Sequence, residues 1–306
     1  MKIAVMGAGA MGGYLGARFA QAGANVSLIA RGAHLDAIRK NGLTINSPLG
    51  SVEGLKLAAT DTPQEIGEVD IVLFTVKLWD TDDAARALAP LVGPDTKVIT
   101  VQNGIDSVDV ISRHVPAAQV VGGVIYLFAV ISKPGVIGNS GGVHRMIVSD
   151  HDGDRDIAAL PEMLAQIPGI DLELTADARR TIWEKYIRLV AISAATALTR
   201  EPIGAVLGNH VTRGFFRRLL EEAVAAANAD GQSFTRDDVD AGVTFFDGLP
   251  HGFKASMLED LERGNRLELP WLSSRLCELA ERHGLDVPAH QAARWGLTLH
   301  QDGHRG

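Results

Sequence analysis

The chain has 306 residues, 46% hydrophobic and 22% charged, which is enough for about two globular domains with sizeable cores. Its 29 basic and 37 acidic side chains give a net charge of −8, which argues against nucleic-acid and anionic-membrane partners. No apolar run reaches the ~20 residues that span a bilayer, and the first residues lack the pattern of a signal peptide. With a single cysteine, Cys277, which we expect to be buried and inert, the sequence predicts a cytoplasmic protein.

The first elements predicted along the chain are a short buried strand at 3–6, a glycine-rich turn and a helix. Gly7, Gly9 and Gly12 have the G-x-G-x-x-G spacing of dinucleotide-binding turns. The spacing suits a tight turn, a close approach of the backbone to a diphosphate, and packing of the helix on the strand. The alternative is a glycine-rich turn that binds nothing. We predict that the following residues bind the cofactor: Gly7, Ala8, Gly9, Ala10, Met11 and Gly12.

The rest of the first half alternates between strand and helix patterns. Strands are predicted at 24–29, 69–76, 97–101 and 119–128, with extra strands within 136–148 and a helix at 81–91. This alternation predicts an α/β fold with a Rossmann-type doubly wound parallel sheet.

Near residue 171 the composition changes, and Ala, Leu, Arg and Glu follow at helical spacing. Helices are predicted at 183–198, 212–229, 236–246, 253–261 and 271–283. The sequence therefore predicts a Rossmann domain at 1–170 and an all-helical domain at 171–306, with a hinge near residue 170 and a frayed tail at 301–306.

The residue after the second strand indicates which nicotinamide cofactor binds. A site selective for NAD has a carboxylate there, but this chain has Arg31, which can bind a 2′-phosphate with paired hydrogen bonds. We predict NADP(H); the alternative for Arg31 is a solvated surface charge. Lys77 and Asn103 follow the third and fourth strands, so we expect them beside the nicotinamide and the substrate, although each alone is more often an ordinary polar loop residue.

Several short segments together resemble the ketopantoate reductase family (2-dehydropantoate 2-reductases) over essentially the whole chain. They are GAGAMGG at 7–13, ARG at 30–32, VKLWD at 76–80, QNGID at 102–106, WEKY at 183–186, ALTREPIG at 197–204, SMLEDLERG at 256–264 and LELPWLS at 267–273. The resemblance implies an enzyme that uses NADPH to reduce a small branched 2-oxo acid, 2-dehydropantoate, to (R)-pantoate in pantothenate biosynthesis. It also implies an active site in a cleft between the Rossmann and helical domains.

By position, the resemblance makes Lys185 the catalytic lysine. Such a role is chemically reasonable, because an ammonium group can stabilise the charge that develops on a ketone oxygen and donate the proton. The resemblance also implies substrate contacts for Ser256 and Glu268, contacts of Glu268 and Ala129 with the cofactor, and a place for Asn103 against both ligands. Each assignment has an ordinary structural alternative. Lys185 could be a solvated helix charge, Ser256 a helix-cap or helix-surface serine, and Glu268 an exposed glutamate in a first helical turn.

Three positions depart from the family pattern. Asparagines four and eight residues after the catalytic lysine are replaced by Leu189 and Ser193, and a third, before Ser256, is replaced by Phe253. Leu189 cannot hydrogen-bond a substrate hydroxyl, whereas Ser193 can over a shorter reach, so we predict a substrate contact for Ser193.

These departures leave other functions open: reduction of a less polar oxo acid or of an imine, or NADP binding without turnover. No metal-binding pattern is present, and the sequence leaves the oligomeric state open, a homodimer included.

Overall fold

The computed structural model describes residues 1–142 and 144–303, which divide into two compact units, Met1–Ile182 and Trp183–Gly306. One residue of the predicted strand segment, at 143, and the end of the predicted tail, at 304–306, lie outside the described residues.

The first unit contains strands and short helices in alternation. Its strands are β1 (Lys2–Met6), β2 (Asn25–Ile29), β3 (Leu43–Asn46), β4 (Val52–Leu55), β5 (Ala58–Thr60), β6 (Val69–Phe74), β7 (Val92–Thr100), β8 (Val120–Tyr126), β9 (Ala129–Lys133), β10 (Val136–Asn139), β11 (Arg145–Ser149) and β12 (Asp171–Thr175). Its helices are α1 (Ala10–Gln21), α2 (Gly32–Asn41), α3 (Thr81–Arg86), α4 (Ser107–Ile111), α5 (Arg155–Ala158) and α6 (Leu160–Leu164).

Eight of these strands form the main sheet, in the order β12–β11–β8–β7–β6–β1–β2–β5. Every neighbouring pair from β5 to β8 is parallel, whereas β11 runs antiparallel to β8. Alternate residues of β1 contribute to two separate hydrophobic clusters, Ile3 and Val5 to one and Ala4 and Met6 to the other. The strand is apolar throughout because both faces of the sheet are covered.

A second, four-stranded sheet has the order β4–β3–β10–β9 and packs against α1. Strand β10 pairs parallel to β3 and antiparallel to β9, so the sheet joins two distant parts of the chain. A Cβ atom at Gly13 would lie 2.5 Å from Ile137 Cδ1, so α1 and β10 approach closely at this contact.

Two predicted boundaries need correction in the first unit. The helix predicted at 81–91 ends at Arg86 and is followed by a separate 3-10 turn, Ala89–Leu91, because Pro90 cannot continue an α-helix. The first unit also extends beyond residue 170, since β12 pairs in parallel with β11 and so belongs to the main sheet.

The second unit is helical, and the division between the units falls within its first helix. The helices are α7 (Ala178–Thr199), α8 (Ile203–Gly208), α9 (His210–Ala229), α10 (Arg236–Asp247), α11 (Ser256–Glu262), α12 (Ser273–Arg282) and α13 (Pro288–Leu297). The helix predicted from 253 begins three residues later, at Ser256, because the preceding backbone is extended at Ala255. The predicted fold class, a Rossmann-type α/β sheet with a helical second part, is confirmed, with β11 as the antiparallel addition.

A buried carboxylate fixes one helix end in the second unit. The carboxylate of Glu222, on α9, accepts hydrogen bonds from the backbone N–H groups of Ala289 and His290, both at 3.1 Å. It therefore caps α13, whose first turn has no acidic residue of its own. Burial lowers the pKa of His290 to about 4, so its imidazole is neutral at physiological pH. Across the described residues, no helix combines the length and apolarity that crossing a bilayer requires.

Candidate active site

The predicted cofactor residues of the first unit follow the ends of five strands. Gly7 comes after β1, Arg31 after β2, Lys77 after β6, Asn103 after β7 and Ala129 after β8. These strands are parallel, so their carboxyl ends lie along one edge of the sheet, which we call the carboxyl edge. Ligands of open α/β sheets bind at this edge.

Two of the three motif glycines are required by internal packing. Gly7 has a φ of +93°, and a Cβ there would lie 2.8 Å from the backbone N of Val76. A Cβ at Gly12 would lie 2.5 Å from the carbonyl oxygen of Gly7. At Gly9, in contrast, a Cβ would meet nothing closer than that same oxygen at 4.0 Å. The space beside Gly9 is therefore open to a group from outside, as a diphosphate-binding turn requires.

The amino end of α1 presents unused backbone donors at this turn. The helix starts without a side-chain cap and without an acidic residue, and its first internal bond runs from Gly13 N–H to Gly9 O, at 2.8 Å. The N–H groups of Ala10, Met11 and Gly12 precede that bond and are not used within the helix. Together with the helix dipole, they suit a phosphate group.

The residues after β2 and β6 carry exposed positive charges. Arg31 precedes α2, whose first turn has no acidic residue, and its guanidinium forms no ion pair with any described residue. Lys77 is also exposed, and its ammonium lies 5.5 Å from the centre of the Trp79 ring. This end of the sheet therefore carries positive charge without a carboxylate at the position that would disfavour a 2′-phosphate.

Beside the loop that follows β6 lies a buried residue, Gln102, to which the sequence assigned no role. Gln102 directly precedes the half-buried Asn103, and its side-chain amide bonds to the segment after β6. The sequence did carry one signal for Gln102, a polar residue directly after an apolar strand. The burial of its side chain is seen only in the structure.

In the second unit, Lys185 lies on α7 and is half-buried. Burial lowers the pKa of Lys185 to about 8, while the carboxylate of Glu268 acts in the opposite direction. Glu268 is itself only 9% exposed and precedes a 3-10 turn, Leu269–Trp271. The structure therefore pairs the predicted catalytic lysine with the predicted glutamate, although 83 residues separate them in the sequence.

A hydrogen bond between α7 and the segment after Glu268 supports this pairing. The hydroxyl of Tyr186, the residue after Lys185, is buried and donates to the carbonyl oxygen of Leu272 at 2.9 Å. The bond ties the two segments together within four residues of each charged side chain, which restricts how far the charges can move apart.

Lys185, Leu189 and Ser193 recur every four residues and so share one face of α7. Leu189 is half-buried, and Ser193 is fully buried. The Ser193 hydroxyl has no hydrogen-bond partner among the described residues, whereas Thr196, also buried, donates to Ile192 O at 2.7 Å. An unpaired buried hydroxyl is uncommon and leaves a polar group available on this face.

The two remaining positions lie at the start of α11. Ser256 is the first residue of that helix and is exposed, which suits either a ligand contact or an ordinary helix start. Phe253 is half-buried, and its carbonyl oxygen accepts a bond from Ile203 N at 2.9 Å, which joins this segment to the start of α8.

Other chemistry finds little support. Within residues 1–142 and 144–303, no three His, Cys, Asp or Glu side chains are arranged to hold a metal ion. Burial raises the pKa of the Cys277 thiol to about 12, so a thiolate nucleophile at neutral pH is disfavoured.

Comparison with known proteins identifies the family. The profile described as Ketopantoate reductase PanE/ApbA matches residues 3–153, and its C-terminal counterpart matches residues 177–294. The chain belongs to the ketopantoate reductase family. As a member of that family, it is an oxidoreductase of the 2-dehydropantoate 2-reductase type, which confirms the predicted family and enzyme class.

Individual ketopantoate reductases resemble the chain over nearly its full length. A 2-dehydropantoate 2-reductase of Mesorhizobium japonicum is 32% identical over 302 residues, 91% of either chain. One of Halobacterium salinarum is 29% identical over 289 residues, 94% of this chain and 95% of the other. The crystal structure of a PanE/ApbA family ketopantoate reductase from Ralstonia eutropha JMP134 superimposes with a TM-score of 0.89 at 30% identity, covering 98% of each chain.

The fold extends beyond enzymes of that name. A D-mandelate dehydrogenase, solved with NADH and anilino(oxo)acetate, has a TM-score of 0.87 at 21% identity and covers 98% of each chain. At this identity the likeness concerns the fold alone.

Proposed function

We propose that this ketopantoate reductase family member uses NADPH to reduce 2-dehydropantoate to (R)-pantoate, the reaction of pantothenate biosynthesis. The observation that carries the proposal is the pairing of Lys185, with a pKa of about 8, and the buried Glu268. The names of the Mesorhizobium and Halobacterium relatives support the choice of substrate.

In the proposed mechanism, Lys185 is the general acid. NADPH, when bound, would supply a hydride for the keto carbon. The Lys185 ammonium stabilises the charge that develops on the keto oxygen and donates a proton from Nζ. With a pKa of about 8, the group is mostly protonated at neutral pH, yet it is a stronger acid than an ordinary lysine. Glu268 helps to keep it protonated.

The residues of the first unit are proposed to hold the cofactor. The turn from Gly7 to Gly12 suits the diphosphate because its glycines leave room beside Gly9. Arg31 suits the 2′-phosphate because its guanidinium is exposed and unpaired among the described residues. Lys77, Asn103 and Ala129 are proposed to contact the nicotinamide half, since Lys77 and Asn103 follow β6 and β7 on the carboxyl edge and Ala129 begins β9 three residues after β8 ends.

The remaining polar residues are proposed to orient the substrate. Ser256 donates to the substrate carboxylate, and Glu268 accepts from the substrate hydroxyl and from cofactor groups. Asn103 contacts both ligands. Ser193 offers the unpaired hydroxyl on the Lys185 face of α7.

A second candidate is reduction of a branched 2-oxo acid that lacks the hydroxyl group. Leu189 favours it, because this half-buried aliphatic side chain lies between Lys185 and Ser193 on the same helix face. A site with fewer hydrogen-bonding groups discriminates less against a substrate without a hydroxyl.

The decisive experiment measures NADPH and NADH consumption with 2-dehydropantoate, 3-methyl-2-oxobutanoate and phenyl-2-oxoacetate, each with and without an added amine. We expect the highest kcat/KM with 2-dehydropantoate and NADPH, and a loss of about 100- to 10,000-fold in Lys185→Ala. Lys40→Ala, which removes an exposed lysine, is the matched control.

Three outcomes would change the interpretation. A higher kcat/KM with 3-methyl-2-oxobutanoate would favour the second candidate. Turnover that requires the amine would indicate imine reduction. NADPH binding without oxidation of the cofactor by any acid would indicate a binding protein.

A further inference from the structure

Gln102 joins the ends of two neighbouring strands at the carboxyl edge. It is 8% exposed, and its amide nitrogen donates to Val76 O at 2.8 Å and to Thr81 Oγ1 at 2.9 Å. Because a carbonyl oxygen can only accept, the bond to Val76 fixes which way the amide is turned. The side chain of the residue before Asn103 therefore holds the residue before Lys77.

We propose that Gln102 is a positioning residue that keeps the Lys77 and Asn103 segments in the arrangement that binds NADPH. This inference rests on the proposed function.

The bonds around Gln102 leave no spare donor that could replace it. Thr81 Oγ1 donates its own hydrogen to Leu78 O at 2.8 Å, so it can only accept from Gln102. Thr100 Oγ1 donates to Gln102 Oε1 at 3.2 Å, which uses the other end of the amide. If the amide were removed, the oxygen of the half-buried Val76 would lose this donor, and the segment would be free to shift.

A shift of Val76 would also reach the glycine turn. The position of a Cβ on Gly7 lies 2.7 Å from Val76 Cγ1, so these two residues are packed with no gap. The adjacent Thr75 bonds to β1 and to the turn: its N–H donates to Met6 O at 2.9 Å and its hydroxyl to Gly7 O at 3.0 Å. Gln102 thus links the end of β7 to the end of β6, and Thr75 and Val76 link the end of β6 to β1 and its turn, where the diphosphate and nicotinamide are proposed to bind.

The chain contains a matched control at the opposite, amino edge of the same sheet. Gln119, 7% exposed, donates its amide hydrogens to Gly93 O at 2.7 Å and Pro94 O at 3.0 Å. It therefore joins the amino ends of β7 and β8 through two bonds of the same kind. Replacing Gln119 with methionine removes two side-chain hydrogen bonds and replacing Gln102 removes three, but only Gln102 lies at the carboxyl edge.

The experiment compares full-length Gln102→Met and Gln119→Met by thermal unfolding, by NADPH titration without substrate, and by kcat. We expect a fall in Tm for both variants. Gln102→Met should raise the Kd for NADPH about tenfold or more and lower kcat, whereas Gln119→Met should keep both within about twofold of the unaltered chain.

Gln102→Glu adds a second measurement, the pH dependence of NADPH affinity, which a loss of stability alone would not change. Its neutral acid can donate one hydrogen bond to Val76 O, whereas its carboxylate can donate none. The affinity of Gln102→Glu for NADPH should therefore decrease as the pH is raised from about 6 to about 8. Gln102→Met, measured at the same pH values, is the reference.

Equal Kd values for the Gln102→Met and Gln119→Met variants, or a Gln102→Glu variant whose affinity follows that of Gln102→Met across this range, would overturn the inference. An unaltered chain that binds neither NADPH nor NADH would instead overturn the proposed function, and the inference with it.

Discussion

Replacing Glu268 with glutamine tests the charge pairing on which the proposed mechanism depends. Burial lowers the pKa of Lys185 to about 8 even though the Glu268 carboxylate opposes the shift. Glutamine has nearly the same size, so the burial remains while the opposing charge is lost. A nearby opposite charge changes a pKa by about one to three units, so we expect the pKa of Lys185 to fall to roughly 7 or below.

The assay is the pH profile of kcat/KM for the 2-oxo acid. In the unaltered chain the rate should be constant at low pH and fall about tenfold per unit above about pH 8, as the ammonium loses its proton. At about pH 8, Glu268→Gln should retain roughly a tenth of its own low-pH rate, against about half for the unaltered chain. The midpoint is informative even if the variant also binds its ligands less tightly.

Glu281→Gln is the control for this profile. It removes a carboxylate from a largely exposed pair with Arg294, in which the charged atoms are 3.3 Å apart, and should leave the midpoint at about 8. The reasoning is refuted if Glu268→Gln keeps the midpoint of the unaltered chain, or if the unaltered chain shows no loss of rate above pH 8.

Three further predictions concern binding and stability. Arg31→Ala should raise the Kd for NADPH about 10- to 100-fold and leave that for NADH unchanged; equal losses would contradict the 2′-phosphate contact. Gly7→Ala should lower the free energy of unfolding by about 1–3 kcal/mol in a urea titration. Gly9→Ala should lower the free energy of unfolding by less than about 1 kcal/mol, yet weaken NADPH binding. A larger loss of stability in Gly9→Ala than in Gly7→Ala would contradict the packing argument. Glu222→Ala should lower the free energy of unfolding by about 1–3 kcal/mol through the lost cap of α13, whereas a loss as large in the exposed Glu221→Ala would contradict that assignment.

The glycine turn was predictable because its constraints are local. Residues 3–6 are apolar on both faces, which indicates a covered parallel strand. The three glycines of the motif come immediately after it in the sequence. Pro90 is an equally local signal that a helix cannot continue through residue 91, and the helix predicted at 81–91 does not take it into account.

The second sheet was harder to predict because its pairing is long-range. Strands β3 and β4 have four residues each, too few for a clear periodicity, and β3 pairs with β10 about 90 residues later. The prediction found strand character within 136–148 but not the partner strands.

The candidate site was predictable in residue type but not in environment. Helical periodicity places Lys185 on α7, yet its burial and its interaction with Glu268 depend on how α7 packs in the folded unit. Gln102 reads as an ordinary polar residue after a strand, and only its contacts with Val76 and Thr81 distinguish it. The site assignments made from sequence remain predictions that the proposed variants test.

The pairing of β3 with β10 has a consequence for how the chain emerges during synthesis. Helix α1 is complete at Gln21, but the strand that covers Gly13, β10, ends only at Asn139. At translation rates of roughly 5–20 residues per second, the side of α1 that packs on β10 stays without that strand for on the order of 10 seconds. The glycine turn, which we propose binds the diphosphate, is thus synthesised well before β10, and during that interval the face of α1 that packs on β10 is accessible to a chaperone.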